Sequence, residues 1–391
     1  MPEKNLLVIS NSFPNEDNTF VGDVFVKEQI KYLRHYFDNV YVVSPVAYGV
    51  EHLRKTEHSD YQFDNVQVFF PKYVNNPLFW YHGRLLWVDL EARAIMSLIE
   101  REDLHLDLIH AHFTWPSGAV AVRLKKSLGV PVVITEHTHE TLYKALRERN
   151  PYYTRTWEEC DAIIRVNKKD VPLICRYGVD PSKVCSIANG YDPAKYYPVD
   201  KKAARQSLDL PVDSKIVLNI SRLYKEKGQK YLISAINDIV KDRDDIICYI
   251  GGTGPLKNDL EQQITSLNLQ EYVKLAGFIP DEQMNLWINA ADIFVLPSLG
   301  EGNPTIMFEC LGCGKPFVGT KVGGVPEVIA SDDYGLLVEP ADPEDLAEKI
   351  LVALDREWDR EAILAYAERY TWENIAKGIM GVYAQIFRRS Q

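Results

Sequence analysis

The chain has 391 residues, 46% hydrophobic and 25% charged, with no charge block and no low-complexity tract, which excludes a disordered protein. Its formal charge of −11 excludes nucleic acid as the main partner, because phosphate backbones select basic surfaces. No apolar run approaches the ~18 residues of a membrane span, and Leu6–Ile9 is too short for a signal-peptide core, so a cytoplasmic protein is expected. At roughly 150 residues per domain, the length suits two domains. Charge divides unevenly: residues 1–195 carry −2 and the remainder −9, so only the first half could face an anionic membrane. Cys160, Cys175, Cys185, Cys248, Cys310 and Cys313 are too scattered for a disulfide framework and read as reduced thiols.

In chain order, apolar runs of strand character fall at Leu6–Ser10, Val40–Ser44, Val66–Phe70, Leu108–Ala111, Val132–Thr135, Ile163–Val166 and Val184–Ile187. Between the first two, Val26, Ile30, Leu33 and Phe37 share one helical face, which makes a strand–helix–strand crossover. A linker from Asn189 to Asp200 holds Gly190, Pro193 and Pro198. A second series follows at Ile216–Ile220, Ile246–Ile250, Val273–Ala276, Ile293–Leu296, Phe317–Thr320 and Leu336–Val338. Strands alternating with helices twice over predict an α/β protein of two parallel-sheet, Rossmann-like domains, residues 1–195 and 196–371, with ligands in a cleft between them. Trp372, Ile375, Ile379, Tyr383 and Phe387 keep helical spacing, so a final amphipathic helix over 372–391 is expected to pack back on the first domain.

The stretch richest in chemistry runs from Pro297 to Pro316, after a buried strand. Asn303 reads as a helix N-cap and Pro304 as the first helical residue. A helix start offers free N–H groups and a positive dipole, which suits a diphosphate without a metal ion. Glu301 precedes that anion site, and Glu309 lies about six residues into the helix, roughly 9 Å along it. Carboxylates accept paired hydrogen bonds from diols, so sugar hydroxyls would meet Glu301 and ribose hydroxyls Glu309. Taken singly, each is an ordinary loop or solvated helix residue; the string as a whole is not. Cys310-Leu-Gly-Cys313 has the spacing of redox and zinc motifs, but with no second pair it reads as two buried residues at a helix end.

Glu301-x7-Glu309, set in Glu-Gly-Asn-Pro-Thr…Gly-Lys-Pro, resembles the signature of the retaining glycosyltransferases of family 4, which have the GT-B fold. Ser221-Arg-Leu-Tyr-Lys-Glu-Lys-Gly228 resembles that family's segment whose Arg and Lys hold the donor diphosphate, here Arg222 and Lys227. Gly251-Gly-Thr-Gly-Pro255, Gly277-Phe-Ile-Pro280, Gly323-Gly-Val-Pro-Glu327 and Gly335-Leu-Leu-Val338 follow in the family's order. The resemblance implies donor contacts from Gly302, Asn303, Pro304, Thr305 and Glu309, with Phe278 and Ile279 near the base. Two cations after a strand would neutralise a leaving diphosphate, the task of a divalent metal elsewhere, so neither metal nor cofactor is expected.

In the first domain, Asp107-Leu-Ile-His-Ala-His112 resembles the motif whose second His lies beside the transferred sugar, which implies that role for His112. His110 shares its strand face. Both, with Glu136, His137 and His139, could form a zinc cluster; paired hydrogen-bonding histidines at sheet ends are the reading adopted. Glu136 and His137 are acceptor-side candidates by resemblance. So is Gly22, although the family often has a double glycine there and this chain has one. Tyr73, Phe79, Trp80, Tyr81, Arg84 and Trp87 form an aromatic stretch, read as core packing with membrane contact or a lipid-linked acceptor as the alternative.

The resemblance thus implies a retaining, metal-independent transferase. It would move a sugar from a nucleotide diphosphate, UDP favoured and GDP-mannose second, to a glycan, lipid-linked or small-molecule acceptor, forming an α-glycoside. Rival readings are a catalytically silent nucleotide-sugar-binding subunit and a GT-B-like phosphorylase or epimerase. A dehydrogenase lacks its dinucleotide fingerprint after either first strand.

Overall fold

The computed structural model describes residues 4–17, 20, 22–49, 51, 56–76, 79 and 83–389. It divides into two compact units: residues 1–188 with Ile375–Gln391, and residues 189–374.

The N-terminal unit is built on β1 (Asn5–Ile9), β2 (Asn39–Val43), β3 (Val46–Ala47), β4 (Tyr61–Phe63), β5 (Val66–Phe69), β6 (Lys72–Tyr73), β7 (Leu108–His112), β8 (Val132–Glu136), β9 (Ala162–Arg165) and β10 (Val184–Ser186). Eight of these form one sheet in the order β10-β9-β8-β7-β1-β2-β5-β4, parallel except where β4 meets β5. Every residue of β1, β7 and β8 is buried, as continuous apolar runs in a sheet covered on both faces require. Val26, Ile30 and Leu33 turn the inner face of the helix Val24–Leu33 to the core. Phe37 lies beyond that helix, in extended backbone at φ −131°, because the chain must straighten to enter β2, and it is still buried. Short strands β3, β4 and β6 have no readable pattern of their own and exist through pairing. Of the aromatic stretch, Trp80 and Tyr81 lie outside the described residues; Tyr73 is buried and accepts a hydrogen bond from Trp87 Nε1 at 3.0 Å.

Strand order places β1 between β2 and β7. In open α/β sheets such a reversal leaves a crevice beyond the strand C-termini, and His112 ends β7 there. The final helix, Trp372–Arg389, joins this unit from Ile375 onward. Ile379, Tyr383 and Ile386 are buried, and the Tyr383 ring packs edge-on against Phe37.

The C-terminal unit contains β11 (Lys215–Ile220), β12 (Ile246–Gly251), β13 (Val273–Gly277), β14 (Ile293–Leu296), β15 (Phe317–Thr320) and β16 (Gly335–Val338). Their order is β13-β12-β11-β14-β15-β16, and every described pair is parallel. The reversal lies between β11 and β14. The proline-bearing segment from Asn189 is part of this unit: Lys195 pairs with Asp281 at 2.6 Å, Val199 N–H donates to Asn289 Oδ1 at 2.8 Å, and Lys201 pairs with Asp292 at 2.7 Å. Those bonds put the observed boundary after Ala188, ahead of the prolines rather than at residue 195.

Candidate active site

In the C-terminal unit, the loops after β11 and β14 meet at the reversal. Asn219, fully buried in β11, donates from Nδ2 to Val295 O at 2.7 Å and locks the two strands together where their side-by-side pairing ends. Beyond them, Leu299 N–H donates to Glu226 O at 2.7 Å. This brings Lys227 Nζ to 2.6 Å from Glu301 Oε1, and Ser298 Oγ donates to the same oxygen at 2.6 Å. Glu301 is 8% exposed, so its carboxylate is held by a charge and a hydroxyl in a largely dry pocket. Arg222 stands exposed on the same loop, its guanidinium 5.3 Å from the centre of the Tyr224 ring.

Two glycines make this approach possible. Gly228 has φ +69°, and a Cβ there would run into Pro297 O; Gly323 has φ +51°, and a Cβ there would run into Glu301 O. Gly324 N–H donates to Gly302 O at 2.8 Å, and Thr320 Oγ1 donates to Ser298 O at 2.5 Å, so β15 and the loop after it buttress the Glu301 loop from behind.

The helix over Thr305–Gly312 starts one residue later than the sequence suggests. Pro304 precedes it with extended backbone, at φ −69° and ψ 124°, and no side chain caps it. Asn303 is not its N-cap: Asn303 Oδ1 accepts from Asn189 N–H at 3.0 Å, and Asn189 Nδ2 donates to Asn303 O at 2.7 Å. A long-range amide pair has outcompeted the local cap, so no side chain caps the first turn of this helix. Gly302 and Asn303 are buried; Pro304, Thr305 and Glu309 are half-buried. Phe278 is 64% exposed at the end of β13, whereas Ile279 is buried against Gly251. Cys310 and Cys313 are fully buried, and burial pushes the Cys313 thiol up to about 12, so both are protonated packing residues.

In the N-terminal unit, three imidazoles stack, two from β7 and one from His137 just after β8. The rings of His110 and His112 lie 4.6 Å apart at 27°, and those of His112 and His137 lie 5.2 Å apart at 15°. His112 Nδ1 and His137 Nε2 share a hydrogen bond of 3.0 Å. Burial pushes the His110 imidazole down to about 3 and His112 well below the usual histidine range. His112 Nε2 is buried with no hydrogen-bond partner among the described residues. An orphaned polar atom at a strand end is where a ligand hydroxyl would be bound. His110 spends both nitrogens on Thr135 and Tyr383, which leaves it none for a metal, and no cluster of potential metal ligands forms among the described residues.

Glu136 is fully buried and occupied by the backbone: Oε2 accepts from Thr114 N–H at 2.9 Å, and Oε1 accepts from Thr138 N–H and Oγ1 at 2.7 Å each. It ties the loops after β7 and β8 together, alongside the strained Phe113 at φ +71°. Gly22, at φ +44°, lets Asp23 N–H reach Ser12 O at 2.7 Å. Sequence reasoning missed Arg165, fully buried, which donates to Asp170 Oδ2 at 2.6 Å and to Glu136 O at 2.7 Å. It also missed Glu91, which is fully buried in mid-helix and accepts from Trp87 and from Asn11. A charged residue embedded in an apolar pattern was the available signal for both.

Two family descriptions match the chain: Glycosyltransferase Family 4 over residues 23–195 and Glycosyl transferases group 1 over residues 200–370. TuaC of Bacillus subtilis, whose name assigns it provisionally to teichuronic acid biosynthesis, is 28% identical over 88% of each chain. A D-inositol 3-phosphate glycosyltransferase of Streptosporangium roseum is 30% identical over 71% of this chain and 69% of its own. Among solved structures, the HepE protein of Anabaena in complex with UDP superposes with a TM-score of 0.74 at 22% identity, covering 98% of this chain and 100% of its own. With a parallel sheet in each unit, matched motifs and relatives at this identity, the chain belongs to the family 4 glycosyltransferases of group 1 and has the GT-B fold.

Proposed function

We propose that this glycosyltransferase moves a sugar from a nucleotide diphosphate, with UDP favoured over GDP, to a glycan, lipid-linked or small-molecule acceptor, with retention and without a metal ion. The observation that carries the reading is the Lys227–Glu301 contact, which joins the diphosphate-binding and sugar-binding halves of the donor motif at 2.6 Å. Arg222 and Lys227 would neutralise the departing diphosphate, with the first-turn N–H groups of the helix Thr305–Gly312, which no side chain caps, adding dipole. Glu301 would receive sugar hydroxyls, Glu309 the ribose, and Phe278 and Ile279 would flank the base. UDP is favoured because the similarly folded HepE was crystallised with it.

On this reading the C1–oxygen bond to the diphosphate breaks while the acceptor oxygen attacks the same face. The acceptor proton passes to the departing diphosphate oxygen, so no protein base is used. Neutral His112, with Nε2 open, would hold a hydroxyl of the transferred sugar. Gly22, Glu136 and His137 belong to the acceptor side, Glu136 through the loops it ties. The N-terminal unit also exposes Val74, Leu85 and Leu86, which favours peripheral contact with a membrane while the body stays cytoplasmic; no described helix is long and apolar enough to cross one. Flotation with anionic vesicles, lost in Leu85→Glu, tests that contact.

The deciding experiment is the melting-temperature shift of the protein in EDTA against UDP, GDP, ADP and their sugar conjugates, repeated on Arg222→Ala. Ligand at a hundredfold excess over Kd stabilises by about 2.7 kcal/mol. A shift selective for one base and lost in the variant supports the donor site; no shift with any nucleotide sinks it. Anomeric NMR of the product tests retention, and a β-glycoside from an α-donor overturns it.

A further inference from the structure

We propose that Tyr383, on the final helix, is a positioning residue for His112, acting through the ring of His110. The inference rests on the role given to His112 above. Tyr383 Oη lies 2.6 Å from His110 Nδ1, and Thr135 Oγ1 lies 2.7 Å from His110 Nε2. Tyr383 and His110 are fully buried and Thr135 nearly so. A neutral imidazole has one N–H and one lone pair, and each of its nitrogens here faces a hydroxyl that can donate or accept. Clamped at opposite corners, the His110 ring cannot tilt without leaving a buried nitrogen unpaired.

That ring is the floor on which His112 stacks, its centroid 4.6 Å away and its plane inclined by 27°. His137 holds His112 Nδ1, which fixes where Nε2 points. Of the two imidazoles of β7, His112 alone would touch substrate. His110 and Tyr383 lie behind it, 273 residues apart in sequence, and the hydroxyl of Tyr383 serves no other described partner. A tyrosine needed only to fill space would be replaceable by phenylalanine; the ring already packs edge-on against Phe37 at 6.0 Å.

The test is Tyr383→Phe, with Thr135→Val as the second variant, in the full chain labelled with 15N-histidine. Long-range 1H–15N spectra report each imidazole's tautomer and environment. The expected result is a shift or broadening of the His112 signals as well as those of His110. A roughly tenfold fall in kcat should accompany it, with KM for the donor and affinity for UDP unchanged. His110 signals that move while those of His112 and kcat stay at wild-type values would overturn the proposal, even if the melting temperature falls. Should either variant fail to fold, the other decides alone. If the wild type transfers no sugar at all, the functional reading has failed instead, and the imidazole spectra still decide whether Tyr383 positions His112.

Discussion

Lys227 Nζ lies 2.6 Å from Glu301 Oε1, with Ser298 Oγ donating to the same oxygen at 2.6 Å. The pair assigns different losses to its two members. On the proposed reading, Lys227→Ala would remove a charge-assisted contact to the diphosphate and should weaken UDP about tenfold, near 1.4 kcal/mol. Glu301→Gln keeps the Ser298 bond and should leave UDP affinity within about threefold, while kcat falls on the order of a hundredfold. Titration calorimetry beside steady-state rates separates them. Equal loss of UDP affinity in both would mean that Glu301 serves to fix Lys227 and does not meet the sugar.

Gly323 and Gly277 both have positive φ, +51° and +72°, but differ in what surrounds them. A Cβ on Gly277 meets nothing within 4 Å, so Gly277→Ala should cost only the left-handed penalty of about 1 kcal/mol. A Cβ on Gly323 meets the backbone carbonyl of Glu301 and cannot be accommodated without moving that loop. Gly323→Ala should therefore cost about 3 kcal/mol and weaken nucleotide binding as the loop that holds Lys227 through Glu301 is displaced. Urea unfolding of the two variants checks the contrast; equal costs would mean the loop yields freely.

The α/β class was legible because β1, β7, β8 and β14 are continuous buried runs whose composition alone demands cover on both faces. Strand β4 was not, since Tyr61–Phe63 holds its place by antiparallel pairing with β5. Glu301 and Lys227 stood out as members of a motif, yet their contact depends on β11 lying next to β14, which no local pattern states. Asn303 shows the reverse error: its sequence context reads as a cap, and the distant Asn189 claims its side chain. The pairing of His110 with Tyr383 has no sequence signal at all, being a meeting of two buried residues 273 positions apart.

Phe278 is 64% exposed, so its ring contributes little to the core. Phe278→Ala should leave the urea midpoint nearly unchanged, within about 0.5 kcal/mol. Stacking of a base on an aromatic ring is worth about 1–3 kcal/mol, so UDP should weaken by about fivefold or more if the ring flanks the base. Unchanged affinity would move the base site away from the end of β13.

The histidine stack also sets a pH dependence. Burial lowers His110 to about 3 and His112 well below its usual range, so both are neutral when folded and take up protons near 6.5 only when unfolded. Below pH 6.5 the unfolded chain therefore binds more protons than the folded one, and stability falls as the pH falls through the window from 6.5 toward 3. Above 6.5 both states are neutral and the two groups contribute no slope. Each should cost about 2 kcal/mol between pH 7 and pH 5. Asp170 and Asp292, whose carboxyls are held below their usual range by their partners, act in the same direction but only below about pH 4, outside this interval. Urea midpoints at pH 7, 6 and 5 should fall steadily in the wild type and about half as steeply in His110→Gln, which can still bond to Thr135 and Tyr383. A midpoint flat from pH 7 to 5 would mean that the stacked imidazoles are solvated enough to protonate in the folded protein.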